Sequence, residues 1–157
     1  MVQGTFFENR RLKRAMANFL YELDASYFVT ANFNRDTNYA AARRTLSAWH
    51  ARIDKALLGG SWSRKARNER TFFIACVEHF DSNLHWHLIL RLGDGADRQR
   101  FEAVAAESWV KLVMGGSMKV DWLATDLDRL KTARYTVQEL WQQRAIESFV
   151  LSTEFEN

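Results

Sequence analysis

Two histidines separated by a single residue, His85 and His87, lie in a run of otherwise apolar residues that is typical of a β-strand. Alternate side chains of a strand share a face, so both imidazoles point to one side while Trp86 and the leucines point to the other. Two imidazoles that converge on one point are a common pair of ligands for a divalent metal ion. The spacing therefore predicts a metal site on this strand rather than two structural histidines.

A carboxylate on the preceding strand, Glu78, supplies a third ligand if a four-residue hairpin loop joins the two strands. In that register Phe80 pairs with His85. Glu78 pairs with His87 and shares its face, with Cβ atoms about 5 Å apart, whereas a loop one residue shorter would turn Glu78 to the opposite face. Two imidazoles and a carboxylate suit Mn²⁺, Co²⁺, Zn²⁺ or Fe²⁺, and also Mg²⁺ where phosphate oxygens complete the coordination sphere.

Basic residues are concentrated in two segments, although the formal net charge is only +3. Binding to phosphates depends on the local density of lysine and arginine more than on net charge. Charge alone favours two solvated surfaces, but a metal site in the same chain favours phosphodiester contacts. The residues predicted to contact phosphates are Arg10, Arg11, Arg64, Lys65, Arg67 and Arg70.

One tyrosine, Tyr135, lies on the polar face of the last predicted helix, which runs from about residue 126. The apolar stripe of that helix comprises Leu127, Leu130, Val137 and Trp141. The helix by itself favours a semi-buried packing role for Tyr135. Next to a metal ion and a basic surface, however, a phenolic hydroxyl is a candidate nucleophile.

The elements that must position these residues alternate between helices and strands, which indicates one α+β domain over residues 1–157. The order predicts a central, mostly antiparallel sheet of four to five strands with flanking helices and a ferredoxin-like βαββαβ centre. The segments are a helix at 10–25, a strand at 27–33, a helix ended by Gly59 and Gly60, strands at 71–80 and 85–92, a helix around 101–112, a strand at 117–123 and the last helix.

The composition indicates the cellular compartment in which such a domain would function. One cysteine, Cys76, excludes an internal disulfide framework and fits a reducing compartment. No apolar run approaches the roughly 18 residues that span a bilayer, and the first residues lack the apolar core of a secretory signal. We therefore expect a cytoplasmic protein without a membrane partner.

Several motifs together resemble those of the HUH endonuclease superfamily, in particular its single-tyrosine rolling-circle replication initiators. His85-Trp86-His87 followed by Leu-Ile-Leu resembles the histidine–hydrophobe–histidine motif, and residues 28–33 are similar to the first-strand motif of the initiators. Tyr135, on a helix after the sheet, resembles their third motif, and Glu78 lies where many of them carry an acidic metal ligand. This ordered set spans roughly residues 26–142.

The resemblance implies a metal-dependent nuclease that nicks and joins single-stranded DNA. Tyr135 would form a 5′-phosphotyrosine intermediate with Mn²⁺ or Mg²⁺ as cofactor, and the 3′-hydroxyl of another end could reverse the step without ATP. The implied partner is single-stranded DNA at a replication origin or hairpin of a plasmid or phage, with a host helicase or polymerase as a further partner.

One departure from the family pattern concerns a lysine that usually follows the tyrosine by three or four residues. Gln138 and Glu139 occupy those positions, and Lys131, one turn before Tyr135, is the candidate to supply the positive charge. The departure leaves open a catalytically inactive origin-binding module or repressor on the same fold. A mononuclear-metal oxygenase on a cupin-like β-barrel is a third alternative, although it would need more short strands.

Overall fold

The computed structural model describes residues 2–79, 81–142 and 149–156, and the side chains of residues 2–7 and 142 lie outside this description. Nine helices and strands occur in these ranges, together with short 3-10 turns near residues 62–69 and 152–155. The elements are α1 (Val2–Glu22), β1 (Tyr27–Asn32), α2 (Tyr39–Leu58), β2 (Phe72–Glu78), β3 (His85–Arg91), α3 (Arg98–Leu112), β4 (Ser117–Trp122), α4 (Asp126–Gln142) and β5 (Val150–Leu151).

The five strands form one sheet in the order β4-β1-β3-β2-β5, and every neighbouring pair is antiparallel. The first four strands and the helices α2 and α3 between them give the βαββαβ arrangement of a ferredoxin-like core. The α+β fold class is therefore confirmed. The described strands form a single sheet with helices on both faces, which is not a β-barrel, so the cupin-like alternative is wrong.

Each face of the sheet has its own hydrophobic core. On one face, α2 and α3 pack against the strand residues that include Trp86, Leu88 and Leu90, all fully buried. On the other face, α1 and α4 pack against a second set that includes Cys76 and Ile89. Because side chains alternate along β3, the histidines belong to the second face, the one that α1 and α4 only partly cover.

Helix boundaries differ from the sequence prediction at α1, which runs over Val2–Glu22 rather than residues 10–25. Asp24 has a φ of 52°, in the left-handed region that ends a helix. Within the described residues, no helix combines the length and the apolarity that a membrane span requires.

The pairing of β2 with β3 corrects the predicted hairpin register by two residues. Glu78 pairs with His85, and Cys76 pairs with His87. The connection between β2 and β3 is longer than predicted, since backbone pairing stops at Glu78 and begins again at His85. Between these residues, His79 and Asn83 adopt left-handed φ angles of 53° and 51°. A shift of two residues preserves the side-chain face, so Glu78 still lies with the histidines; the predicted partner of His85, Phe80, lies outside the described residues.

Candidate metal centre

Three side chains predicted to bind a metal ion converge at one end of the β2–β3 pair. The Oε2 atom of Glu78 lies 2.7 Å from Nε2 of His85 and 2.5 Å from Nε2 of His87. Their potential ligand atoms all lie within 4.8 Å of one another. All three side chains are only 12–13% exposed, yet they are accessible from solvent. The cluster could hold one metal ion, as the strand alternation predicted.

The second nitrogen of each imidazole has its own partner, which is the usual arrangement around metal-binding histidines. Nδ1 of His85 lies 3.1 Å from the backbone oxygen of Asn83. Nδ1 of His87 lies 3.2 Å from Oγ1 of Thr30 on β1. The ring of Phe28 stacks on that of His87 at 5.2 Å between centroids and holds its plane. These contacts direct both Nε2 atoms towards Glu78.

The electrostatics favour an ionised Glu78 and a neutral His87, the protonation states that metal binding requires. Burial opposes ionisation of Glu78, but hydrogen bonds with Glu139, His87 and His85 outweigh it and lower the pKa of Glu78 to about 2. Burial lowers the pKa of His87 against the opposing influence of Glu78. A carboxylate and a neutral imidazole are the forms that bind a divalent ion.

Cys76 is a close neighbour of the cluster that sequence reasoning did not place there. It pairs with His87 across the β2–β3 ladder and shares a face with Glu78, two residues along. The thiol is buried, and burial raises its pKa to about 12. It therefore packs as a protonated side chain beneath the cluster. The spacing of two residues between Cys76 and Glu78 was the available signal in the sequence. Recognising that Cys76 pairs with His87 also required the correct strand register.

Tyr135 on α4 lies beside the histidine pair. Its ring meets the rings of His87 and Phe28 edge-on, at 6.2 Å between centroids in each case, and the residue is 44% exposed. Burial raises the pKa of Tyr135, and the negative charges of Glu78 and Glu139 raise it further. The structure thus places a half-exposed phenol, in its protonated form, at the edge of the candidate metal centre.

The face that α4 buries differs from the predicted apolar stripe. Val137 is buried as expected, but Leu127 is 56% exposed. The other buried residues of α4 are Ala133, Thr136 and Leu140. The helix is therefore turned so that the side carrying Tyr135 and Glu139 borders the metal centre.

The two charged positions that flank Tyr135 on α4 behave differently. Lys131, one turn earlier, is exposed and forms no hydrogen bond or ion pair with the described residues. For Glu139, one turn later, interaction with the carboxyl group of Glu78 raises the pKa. Residue 139 therefore carries a carboxyl group where the family pattern has a lysine.

The first basic segment lines a groove of about 740 Å³ between α1 and α4. Arg10 and Arg11 lie there, as residues predicted to contact phosphates, and Lys13, Arg14 and Arg134 join them. The floor of the groove is apolar and includes Leu130 and Val137. The Nζ atom of Lys13 also lies 5.4 Å from the ring centroid of Trp141. Sequence reasoning missed Arg134, because only the docking of α4 on α1 brings it to this surface.

The second basic segment lies before the start of β2, whereas Glu78 lies at the end of that strand. The segment is therefore separated from the metal centre by the length of β2, about 20 Å at 3.3 Å per residue. Arg70 is only 8% exposed and forms ion pairs with Asp54 at 3.5 Å and with Glu156 at 3.7 Å. We therefore withdraw Arg70 as a phosphate contact. Arg67 is exposed but paired with Glu156 at 3.1 Å. For Arg64 and Lys65, both exposed, phosphate binding stays a prediction.

No family model matches this chain, and comparisons with curated proteins and with solved structures likewise found no match. The case for a function therefore depends on the geometry of the site and on the motif resemblance.

Proposed function

We propose that this protein is a metal-dependent endonuclease that nicks and rejoins single-stranded DNA, in the manner of a single-tyrosine rolling-circle replication initiator. The observation that carries the proposal is the position of Tyr135, whose ring lies 6.2 Å from that of His87. A half-exposed hydroxyl beside a His-His-Glu cluster combines a nucleophile with a site for a divalent ion. The motif resemblance supports the same chemistry.

The candidate ligands Glu78, His85 and His87 would hold one ion and leave coordination positions open for substrate. A bound Mn²⁺ or Mg²⁺ ion would neutralise charge on the scissile phosphate. The Oη atom of Tyr135 would attack phosphorus as it loses its proton to solvent. The bond from phosphorus to the 3′ oxygen would break, and that oxygen would take a proton from solvent and become a free 3′-hydroxyl. The tyrosine would then carry the 5′ phosphate.

The basic groove between α1 and α4 suits the DNA strand that must reach Tyr135. Arg134 lines this groove, whereas Tyr135, the next residue, points about 100° further round the helix and does not line it, so a strand bound in the groove would pass around α4 to reach the candidate nucleophile. Exposed guanidinium groups above an apolar floor fit a single strand, whose phosphates pair with arginine while its bases contact apolar surface.

A second candidate function, binding of origin DNA without cleavage, is favoured by one observation. Burial raises the pKa of Tyr135, Glu78 and Glu139 raise it further, and Lys131 forms no hydrogen bond or ion pair with the part of the chain that the structure describes. A nucleophile held in its protonated form is weak until a positive charge is supplied. Cleavage by this site therefore depends on a bound metal ion.

A covalent-adduct assay with randomised DNA tests the proposal whatever sequence the protein recognises. The wild type and Tyr135→Phe are incubated with a 3′-labelled single-stranded oligonucleotide library of randomised central sequence, with Mn²⁺ or with EDTA. We expect a slow band on a denaturing gel for the wild type with Mn²⁺ and no band for Tyr135→Phe, because the variant lacks the attacking oxygen.

The matched control is Tyr21→Phe, which removes a hydroxyl from α1 and should keep the band. A band that persists in Tyr135→Phe would assign the nucleophile to another residue. Tight binding of the library without any band in the wild type would favour the non-cleaving function.

A further inference from the structure

One edge of the sheet is formed by β4 (Ser117–Trp122). Among the described strands β4 is the outermost, and it pairs only with β1. Leu123, directly after β4, donates its backbone N–H to the oxygen of Ser26 on the β1 side at 2.8 Å. Backbone groups alternate along an antiparallel strand, so those of the even-numbered residues of β4 point away from β1. Outward-pointing groups of this kind can form hydrogen bonds with a further strand.

The charges on β4 complement a second copy of the same strand. Nζ of Lys119 lies 3.3 Å from Oδ2 of Asp121, and these side chains are 74% and 44% exposed on one face of the strand. If two copies pair antiparallel about Val120, each Lys119 lies opposite Asp121 of the other copy. The four side chains then alternate in sign around the two-fold axis. A lone lysine on an edge strand opposes pairing with its own copy, whereas this arrangement favours it.

The opposite face of β4 is apolar and complements itself in the same register. Met118 and Val120 are partly buried against the core beneath α2 and α3. Trp122 is 52% exposed, and the guanidinium carbon of Arg98 lies 3.8 Å from its ring centroid. Pairing about Val120 places Met118 of one copy opposite Trp122 of the other, a favourable contact between a thioether and an aromatic ring. Both faces of the strand therefore favour the same partner and the same register.

We propose that this protein forms a symmetric dimer through β4, in which two five-stranded sheets join into one. The interface would be isologous, with the same residues contributed by each copy. Thr30 of β1 lies opposite both Lys119 and His87, so the charged row of β4 and the candidate metal centre share one face of the sheet. A two-fold axis normal to the sheet would therefore place both metal centres on that face, about 24 Å apart across five strand spacings of about 4.8 Å. The inference does not depend on nuclease activity.

Sedimentation velocity of the full chain, without DNA or added metal, tests the proposal. We expect the wild type to form a dimer as its concentration rises. Lys119→Asp would place four acidic groups around the two-fold axis and Asp121→Lys four basic groups, so each variant should dimerise at least about tenfold more weakly. Lys55→Asp makes the same change of charge on α2 and is the control, which should dimerise as the wild type does.

Exchange of the charges distinguishes this register from a general effect of the substitutions, once circular dichroism shows that each variant is folded. An equimolar mixture of Lys119→Asp and Asp121→Lys should form a dimer, because acidic groups of one chain lie opposite basic groups of the other. The double variant should dimerise by itself for the same reason.

A wild type that stays monomeric up to its solubility limit would overturn the proposal and would leave this edge to a strand of another protein. Unchanged dimers in both single variants would also overturn it, as would failure of the mixture or of the double variant to dimerise.

Discussion

Two clusters of histidine and carboxylate side chains lie on opposite faces of the sheet and near opposite ends of β2. In one, Asp54 on α2 is fully buried and contacts His50 at 3.3 Å and Arg70 at 3.5 Å, and it accepts the Thr71 N–H at 3.0 Å. In the other, Glu78 is partly exposed, and its Oε2 atom contacts both His85 and His87.

The difference lies in what satisfies each carboxylate. Asp54 has a backbone donor and an arginine, and the Nε2 atom of His50 also lies 2.9 Å from the backbone oxygen of Thr71. Burial opposes the ionisation of Asp54, but the hydrogen bonds of His50 and Thr71 lower its pKa overall. Glu78 has two imidazoles instead. The first cluster is a structural link between α2 and the start of β2, while the second has donors that a metal ion can use.

The largest effect that would sharpen this comparison is the loss of stability in Asp54→Ala. The substitution removes the carboxylate that buried His50 and Arg70 share, leaving Arg70 with only its longer ion pair to Glu156, and breaking a buried pair typically costs about 3–5 kcal/mol. The free energy of unfolding from urea denaturation should fall by that amount. Glu78→Ala, the matched removal of a carboxylate at the more exposed cluster, should cost clearly less. Equal losses in the two variants would mean that both clusters are structural.

A smaller effect should appear when metal is added. Mn²⁺ at 100 times its dissociation constant should raise the free energy of unfolding of the wild type by about 2.7 kcal/mol. The reason is that the folded cluster binds the ion and the unfolded chain does not. His87→Ala should lose this stabilisation, because it removes one imidazole ligand.

The control for that measurement is His50→Ala, which removes the histidine of the structural cluster and should keep the stabilisation by Mn²⁺ even though the protein itself is less stable. If His50→Ala loses the metal effect and His87→Ala retains it, the roles of the two clusters are reversed.

The smallest expected effect concerns the basic segments, one beside α4 and the other near the structural cluster. Arg10→Ala combined with Arg14→Ala should reduce the salt dependence of single-stranded DNA binding by about 0.7 per lost phosphate contact. Fluorescence polarisation at several salt concentrations measures the slope. Arg64→Ala with Lys65→Ala, a pair of equal charge, should change it less. A larger change in slope for Arg64→Ala with Lys65→Ala would indicate that DNA binds near the start of β2 instead.

Much of the candidate site follows from local rules. A strand alternates its side chains with a period of two, so the His-x-His spacing was enough to place both imidazoles on one face. The same period kept Glu78 on that face despite a register error of two residues. The predicted α+β order is confirmed for a related reason, since the helix and strand patterns are read over a few neighbouring residues.

Long-range packing decided the rest. The predicted loop was wrong because backbone angles at His79 and Asn83 depend on how the hairpin closes rather than on the spacing of polar residues. Arg70 was indistinguishable from its basic neighbours in sequence, and only the arrival of Asp54 from α2 makes it an internal ion pair.

The sequence by itself determined which residues share the metal-binding face, because that property depends only on the pleat of a strand. Only the tertiary structure decided which side chains of α4 lie next to that face. The rotation of α4 about its axis brings the ring of Tyr135 beside that of His87. That rotation is set by which residues of α4 pack on the sheet, namely Ala133, Thr136, Val137 and Leu140. A helical pattern that includes an exposed Leu127 cannot specify this angle, since burial depends on contacts between segments far apart in the chain.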